Sequence, residues 1–119
     1  MSKPLPIPEE EQLQALASGL RSLYALLRSY VGDLNQVPEW RKLVTIDRDR
    51  LAGYLSRHRE LASKHVSSEK SLEKMHDMSA LVERSGKWVV CWIDHGRIVE
   101  EQVYDRLEVA AANHLMSRI

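Results

Sequence analysis

Apolar side chains recur at helical spacing between residues 13 and 31 of the chain. Alternating steps of three and four residues separate Leu13, Leu16, Leu20, Leu23, Leu27 and Tyr30. This spacing places these side chains on one face of a helix, and Ala17, Tyr24 and Val31 widen that face toward the width typical of a bundle helix. We expect the helix to begin at Pro8, which suits the first helical position, and to end at Gly32.

The pattern between residues 38 and 85 leaves two alternatives open. The segment EWRKLVTID can begin a helix at Pro38 or contribute a strand over residues 42–46, because it holds a run of β-favouring residues. A helix capped near residues 45–47 then follows. Its apolar register continues to about residue 84, but the serine pair at 67–68 favours two helices, or a kinked one, over one long helix.

The stretch KWVVCWIDHGRIVEEQVY predicts two strands joined by a two-residue His-Gly turn. The first strand is apolar on both faces. In the simplest register, Trp92 faces Val99 and Trp88 faces Val103. The stretch that follows, DRLEVAAANHLMSRI, predicts a closing helix with an acidic cap.

Together these elements predict an α+β fold, with two or three amphipathic helices followed by a β-hairpin and a C-terminal helix (a β-β-α tail). A chain of 119 residues is expected to form a single domain. Within it, residues 1–7 are expected to form a mobile, proline-rich lead-in, residues 8–85 a mainly helical part, and residues 86–119 the hairpin-plus-helix part.

The predicted hairpin needs more cover than two strands provide, because a two-stranded ribbon is marginally stable and an open apolar edge invites pairing. Residues 42–46 can supply a third strand, or the same edge of a second subunit can pair across a two-fold axis. We favour the second subunit, since the leucine face also suits a contact between chains. The predicted interface residues of this dimer or small homo-oligomer are Leu13, Leu16, Leu20, Leu23, Leu27, Tyr30, Trp88, Val90 and Trp92.

Charge is balanced overall, with 17 Lys+Arg and 17 Asp+Glu, so no global field attracts nucleic acid or a membrane. Locally, Arg50, Arg57 and Lys64 repeat every seven residues and predict a basic stripe along the second helix. Such a stripe can follow a phosphate backbone. A solvated helix face is the favoured interpretation.

The sequence shows little material for catalysis or for binding a metal. The lone Cys91 lies in an apolar run, where a thiolate is disfavoured. His58 and His65 are two helical turns apart, about 10 Å, which is too far to share one ion. The chain has no HExxH motif, cysteine pair or Gly-rich phosphate loop, and Glu100 and Glu101 point to opposite faces of a strand. We therefore expect no enzyme activity, no cofactor and no metal.

The sequence thus predicts a non-catalytic protein-interaction module that acts as a small homo-oligomer and binds an unidentified protein partner. An adaptor, an inhibitor or an immunity-type accessory protein, of the kind that phages and mobile elements encode, fits this description. The alternative is a nucleic-acid-binding accessory factor that uses the basic stripe. No apolar stretch approaches the ~18 residues of a membrane span, so we expect no membrane partner and a cytoplasmic location.

Overall fold

The structure, a computed structural model, describes residues 3–119 and consists of a helical layer on one face of a three-stranded sheet. The helices are α1 (Glu9–Ser18), α2 (Leu20–Val31), α3 (Arg48–Arg57), α4 (Arg59–Ser63) and α5 (Leu107–Ser117), and the strands are β1 (Met78–Arg84), β2 (Lys87–Asp94) and β3 (Arg97–Tyr104). Short 3-10 turns lie at Leu34–Gln36, Trp40–Leu43 and Lys70–Lys74. The α+β class, the hairpin and the closing helix are confirmed. The acidic cap predicted for the closing helix is wrong, because Arg106 occupies the N-cap position of α5 and makes no side-chain capping hydrogen bond.

The leucine-rich segment forms two helices rather than the single helix that its spacing predicts. Gly19 breaks it with φ 126°, a conformation that side chains rarely allow, and its amide closes α1 on the Leu16 carbonyl at 2.9 Å. His65 Nε2 donates a hydrogen bond to the Ala17 carbonyl at 2.8 Å, so a distant side chain satisfies a carbonyl freed by the break. The break lets α1 and α2 fold against each other around one core.

The main core lies between the helices and one face of the sheet. Its largest fully buried side chains are Leu16, Leu23, Leu27, Leu51, Leu55, Leu81 and Leu115. Each contributes on the order of 1.5–3 kcal/mol by removing apolar surface from water. A second, smaller cluster covers the opposite face of the sheet, where Leu72 packs on Ala80, Val82, Val89, Cys91 and Ile93.

The helical segment predicted to continue to about residue 84 ends at Ser63, so that prediction is wrong from residue 64 onward. A loop, the 3-10 turn Lys70–Lys74 and strand β1 take its place. β1 pairs antiparallel with β2 from Met78 opposite Ile93 to Arg84 opposite Lys87. The connecting turn places Ser85 and Gly86 at positive φ (51° and 77°), as a tight hairpin turn requires. The sheet order is therefore β1-β2-β3, with β2 in the centre.

A β-bulge shifts the register between β2 and β3. Ile93 faces Ile98 as the simplest hairpin predicts, but Trp92 then faces Glu100 and Trp88 faces Tyr104. The predicted pairs of Trp92 with Val99 and of Trp88 with Val103 are therefore wrong. One extra residue on a strand reverses which face each later side chain occupies. Val103 consequently lies opposite Val89, on the face away from the helices.

Residues 42–46 form no strand. The 3-10 turn Trp40–Leu43 includes the first two of them, and a buried glutamine forms hydrogen bonds with Thr45. The Gln12 side chain is fully buried. Its Oε1 accepts the Thr45 N–H at 2.8 Å, and its Nε2 donates to Thr45 Oγ1 at 3.0 Å and to the Ile7 carbonyl at 2.9 Å. Of the predicted lead-in, Ile7 is thus anchored and buried, while residues 1 and 2 lie outside the described range.

We expect Gln12→Ala to lower the free energy of unfolding by about 2–3 kcal/mol, because it leaves the buried Ile7 carbonyl and the Thr45 amide without their partner and opens a gap in the core. Gln12→Leu restores apolar volume but not the hydrogen bonds, so it should also destabilise. Urea unfolding followed by circular dichroism measures both changes. Gln14→Ala, at an exposed position of the same helix, is the control and should stay within about 0.5 kcal/mol of wild type.

Candidate interaction surface and histidine cluster

The predicted interface leucines are used inside this chain. Leu16, Leu23 and Leu27 have no exposed surface, and Leu13 is 6% exposed. Tyr30 is also buried, and its hydroxyl donates to Glu11 Oε1 at 2.9 Å. Apart from the half-buried Leu20, this face has no apolar surface to offer a second subunit, so the leucine face no longer supports self-association.

The edge of the Trp88–Ile93 strand is likewise paired within the chain, with β1 on one side and β3 on the other. Trp88 and Val90 are half-buried against the helical core, whereas Trp92 remains 38% exposed. The open edge lies elsewhere. Within residues 3–119, no strand pairs with the outer edge of β3.

The outer edge of β3 carries exposed apolar side chains. Val99 is 57% exposed and Val103 is 58% exposed. The other outer edge of the sheet is partly covered, since Val66 forms a parallel bridge with Leu81 and the Ser67 N–H donates to the Leu81 carbonyl at 2.7 Å. The two edges of the sheet therefore differ, and β3 is the one open to pairing.

A cleft of about 250 Å³ lies beside Trp92, between the sheet and the end of α5. Its lining residues are Ser79, Val90, Cys91, Trp92, Glu100, Glu101, Gln102 and Ser117. Burial raises the pKa of the Cys91 thiol, so the thiol stays protonated and is a poor nucleophile. The cleft thus offers a tryptophan face and carboxylates for contact, but no activated cysteine.

A buried Ser79–His114 pair packs α5 against β1. Ser79 Oγ and His114 Nδ1 are 2.8 Å apart, and both side chains are buried. Burial, with smaller effects of Arg118 and His65, lowers the pKa of His114 to about 4. The imidazole is therefore neutral at pH 7, and its role here is to position α5 on the sheet.

The predicted basic stripe does not continue along one straight helix. The helix is interrupted between α3 and α4 at His58, whose φ and ψ of −134° and 59° are not helical. Arg50 Nη1 is 2.5 Å from the Glu9 carboxylate, while Arg57 and Lys64 are exposed. The geometry adds no support for a nucleic-acid surface, and contact of these residues with nucleic acid stays a prediction.

Three side chains of the types that can bind metal ions meet at the β2–β3 turn. His76 Nδ1 and His95 Nδ1 each lie 3.0 Å from the same atom, Asp94 Oδ1. The imidazole rings of His76 and His95 have centroids 4.1 Å apart, and all three side chains are exposed. We call this set the histidine cluster.

Sequence reasoning missed the histidine cluster because it missed β1. The β1–β2 register pairs residue 78 with residue 93, and its extension places His76 opposite His95. Read as part of a helix, His76 lies far from the hairpin. The short apolar run ALV is a weak signal for this strand, and helix-favouring methionine, alanine and leucine mask it.

Comparison with models of protein families, with curated proteins and with solved structures gave no match. Among residues 3–119, none of the helices is long and apolar enough to traverse a lipid bilayer.

We expect the stability of the protein to fall by about 2 kcal/mol between pH 7 and pH 5 because of His114. Its pKa is about 4 in the folded state, below the ordinary value of 6.5. The unfolded chain therefore takes up a proton in this range while the folded chain does not. The contribution of His114 to the free energy of unfolding is complete above pH 6.5 and is lost as the pH falls toward 4.

Urea unfolding at several pH values measures this dependence. Hydrogen bonds from Arg84 and Lys87 lower the pKa of Glu69 and Asp105. These carboxylates therefore change the stability mainly below pH ~4.5, outside the range from pH 7 to pH 5. His114→Gln should flatten the slope, and His58→Gln, at a more exposed site, should retain it. An unchanged slope in His114→Gln would contradict the assignment.

Proposed function

We propose that this protein is a non-catalytic protein-interaction module that forms a homodimer along the outer edge of β3. The observation that carries the proposal is the open β3 edge with its two exposed valines. The most exposed large apolar side chains among the described residues are Leu5, Trp92, Val99 and Val103, and the last two lie on β3. Main-chain pairing of this edge would join two sheets into one of six strands.

An antiparallel two-fold pairing centred on Glu101 has complementary side chains. It places Val99 opposite the partner's Val103, which brings apolar surface together. The two-fold axis repeats this pair, and cross-strand pairs of this type stabilise a sheet by roughly 0.2–1 kcal/mol each.

The centre of this pairing sets Glu101 against the same residue of the second subunit, and like charges in this position are unfavourable. Arg84 offsets part of this cost, because its Nη1 lies 3.3 Å from Glu101 Oε2. Arg84 also pairs with Glu69. Each Glu101 carboxylate is thus partly neutralised by Arg84. The remaining repulsion between the two copies of Glu101 lowers the affinity of the homodimer but leaves pairing favourable.

The homodimer would present two copies of the cleft beside Trp92 to a second protein, which suits an adaptor or an inhibitor. Trp92 is the exposed aromatic side chain at this cleft, and aromatic residues dominate the binding energy of many interfaces. The Glu100 carboxylate at its border favours a partner with basic groups.

We expect light scattering after size exclusion to show a mass that rises from monomer to dimer between about 5 and about 500 μM, because the pairing surface is small. Val103→Lys should remain monomeric throughout this range, since it puts a charge at the contact. Leu5→Lys, at an exposed site far from β3 in sequence, is the matched control and should dimerise like wild type.

A folded wild-type protein that stays monomeric at the highest concentration would contradict the homodimer. So would a Val103→Lys protein that dimerises as well as wild type. Circular dichroism establishes that each variant is folded, which is expected because Val103 is 58% exposed.

A further inference from the structure

We propose that His76, Asp94 and His95 bind a divalent transition-metal ion of the Zn²⁺ type. Their ligand atoms all lie within 4.8 Å of one another. Two imidazole nitrogens and one carboxylate oxygen are a donor set that suits Zn²⁺, Co²⁺, Ni²⁺ and Fe²⁺ rather than Mg²⁺ or Ca²⁺. The site is separate from the open β3 edge and does not depend on dimer formation.

The distances fit ligands that share one ion. Each histidine Nδ1 lies 3.0 Å from Asp94 Oδ1. Two ligands at bonds of ~2.0–2.1 Å, with an angle between ~90° and ~110° at the metal, are separated by ~2.9–3.4 Å. Both His–Asp separations fall in this range, and rotation of the two exposed imidazoles, whose ligand atoms lie within 4.8 Å of each other, brings all three ligands to one ion.

The backbone around the cluster is fixed by contacts between two segments. The Gly96 N–H donates to the Met75 carbonyl at 2.8 Å, which joins the hairpin turn to the residue before His76. The turn is close-packed there, because a Cβ at Gly96 would lie 2.6 Å from the Glu73 carbonyl oxygen. Ligands on segments held in this way lose less conformational freedom when they bind an ion.

Binding would displace one weak interaction. His76 Nδ1 accepts the His95 backbone N–H at 3.2 Å, and the lone pair used in that bond is the one an ion would take. The side chains of His76, Asp94 and His95 are 57%, 48% and 80% exposed, so an ion reaches them directly and water can complete its coordination. The exposure also limits the affinity, since solvent competes for each ligand position.

The test is calorimetric titration of Zn²⁺ into tag-free protein that has been stripped with EDTA, in a buffer that does not chelate metals. We expect one ion per chain, with a dissociation constant on the order of micromolar. His76→Ala, Asp94→Asn and His95→Asn should each weaken binding at least tenfold. Asn is chosen for residue 95 because its φ of 51° is left-handed, and Asn tolerates this conformation better than Ala.

His58→Ala is the matched control, a partly exposed histidine outside the cluster, and should bind Zn²⁺ as wild type does. A second measurement uses NMR of the imidazole nitrogens, in which Zn²⁺ should shift Nδ1 of His76 and His95 and leave His58 unchanged. Absence of stoichiometric binding would overturn the proposal, as would equal binding by wild type and all three cluster variants. Loss of binding in His58→Ala would also overturn it, because it would place the ion elsewhere.

Discussion

The pairing of β1 with β2 is the constraint on which the rest of the structure depends. β2 is apolar on both faces and needs neighbours on both edges, and β1 supplies the one that the hairpin lacks. Residues Ser79 to Val82 are themselves all buried, so the two strands together form a sheet centre that excludes water on both sides. The helices cover one face of this centre and Leu72 covers the other.

The same pairing determines where functional groups lie. By filling one edge of β2, β1 leaves β3 at the margin of the sheet, so the surface open to another chain carries Val99 and Val103 instead of the tryptophans. Its register also brings His76 to the hairpin turn beside Asp94 and His95. The open edge and the histidine cluster are thus two consequences of one strand pairing. The open edge runs along β3, and the cluster lies at the turn between β2 and β3.

A local turn or cap signal in the sequence was sufficient to predict some of the elements. The His-Gly turn and both hairpin strands are confirmed, and so is the start of α3, where Asp47 Oδ1 accepts the Arg50 N–H at 2.8 Å. Non-local choices were not predictable in this way. SALV suits a helix as well as a strand until β2 is available to pair with it, and Gly19 breaks a helix whose leucine spacing continues unchanged across the break. The clustered histidines depend on β1 and were missed with it.

The bulge in β3 bears on how an open edge can avoid uncontrolled pairing. Edge strands commonly carry charges or bulges that prevent aggregation, and β3 has both, with Glu100 and Glu101 following the irregularity. These features disfavour a long, regular stack of sheets, because every added chain repeats the carboxylates and the bend. A two-fold contact brings the carboxylates and the bulge together only once. The resulting sheet then ends at β1 on each side, where Val66 and Ser67 partly cover the outer edge. The asymmetry between the two edges of the sheet therefore favours a closed dimer over an open fibre.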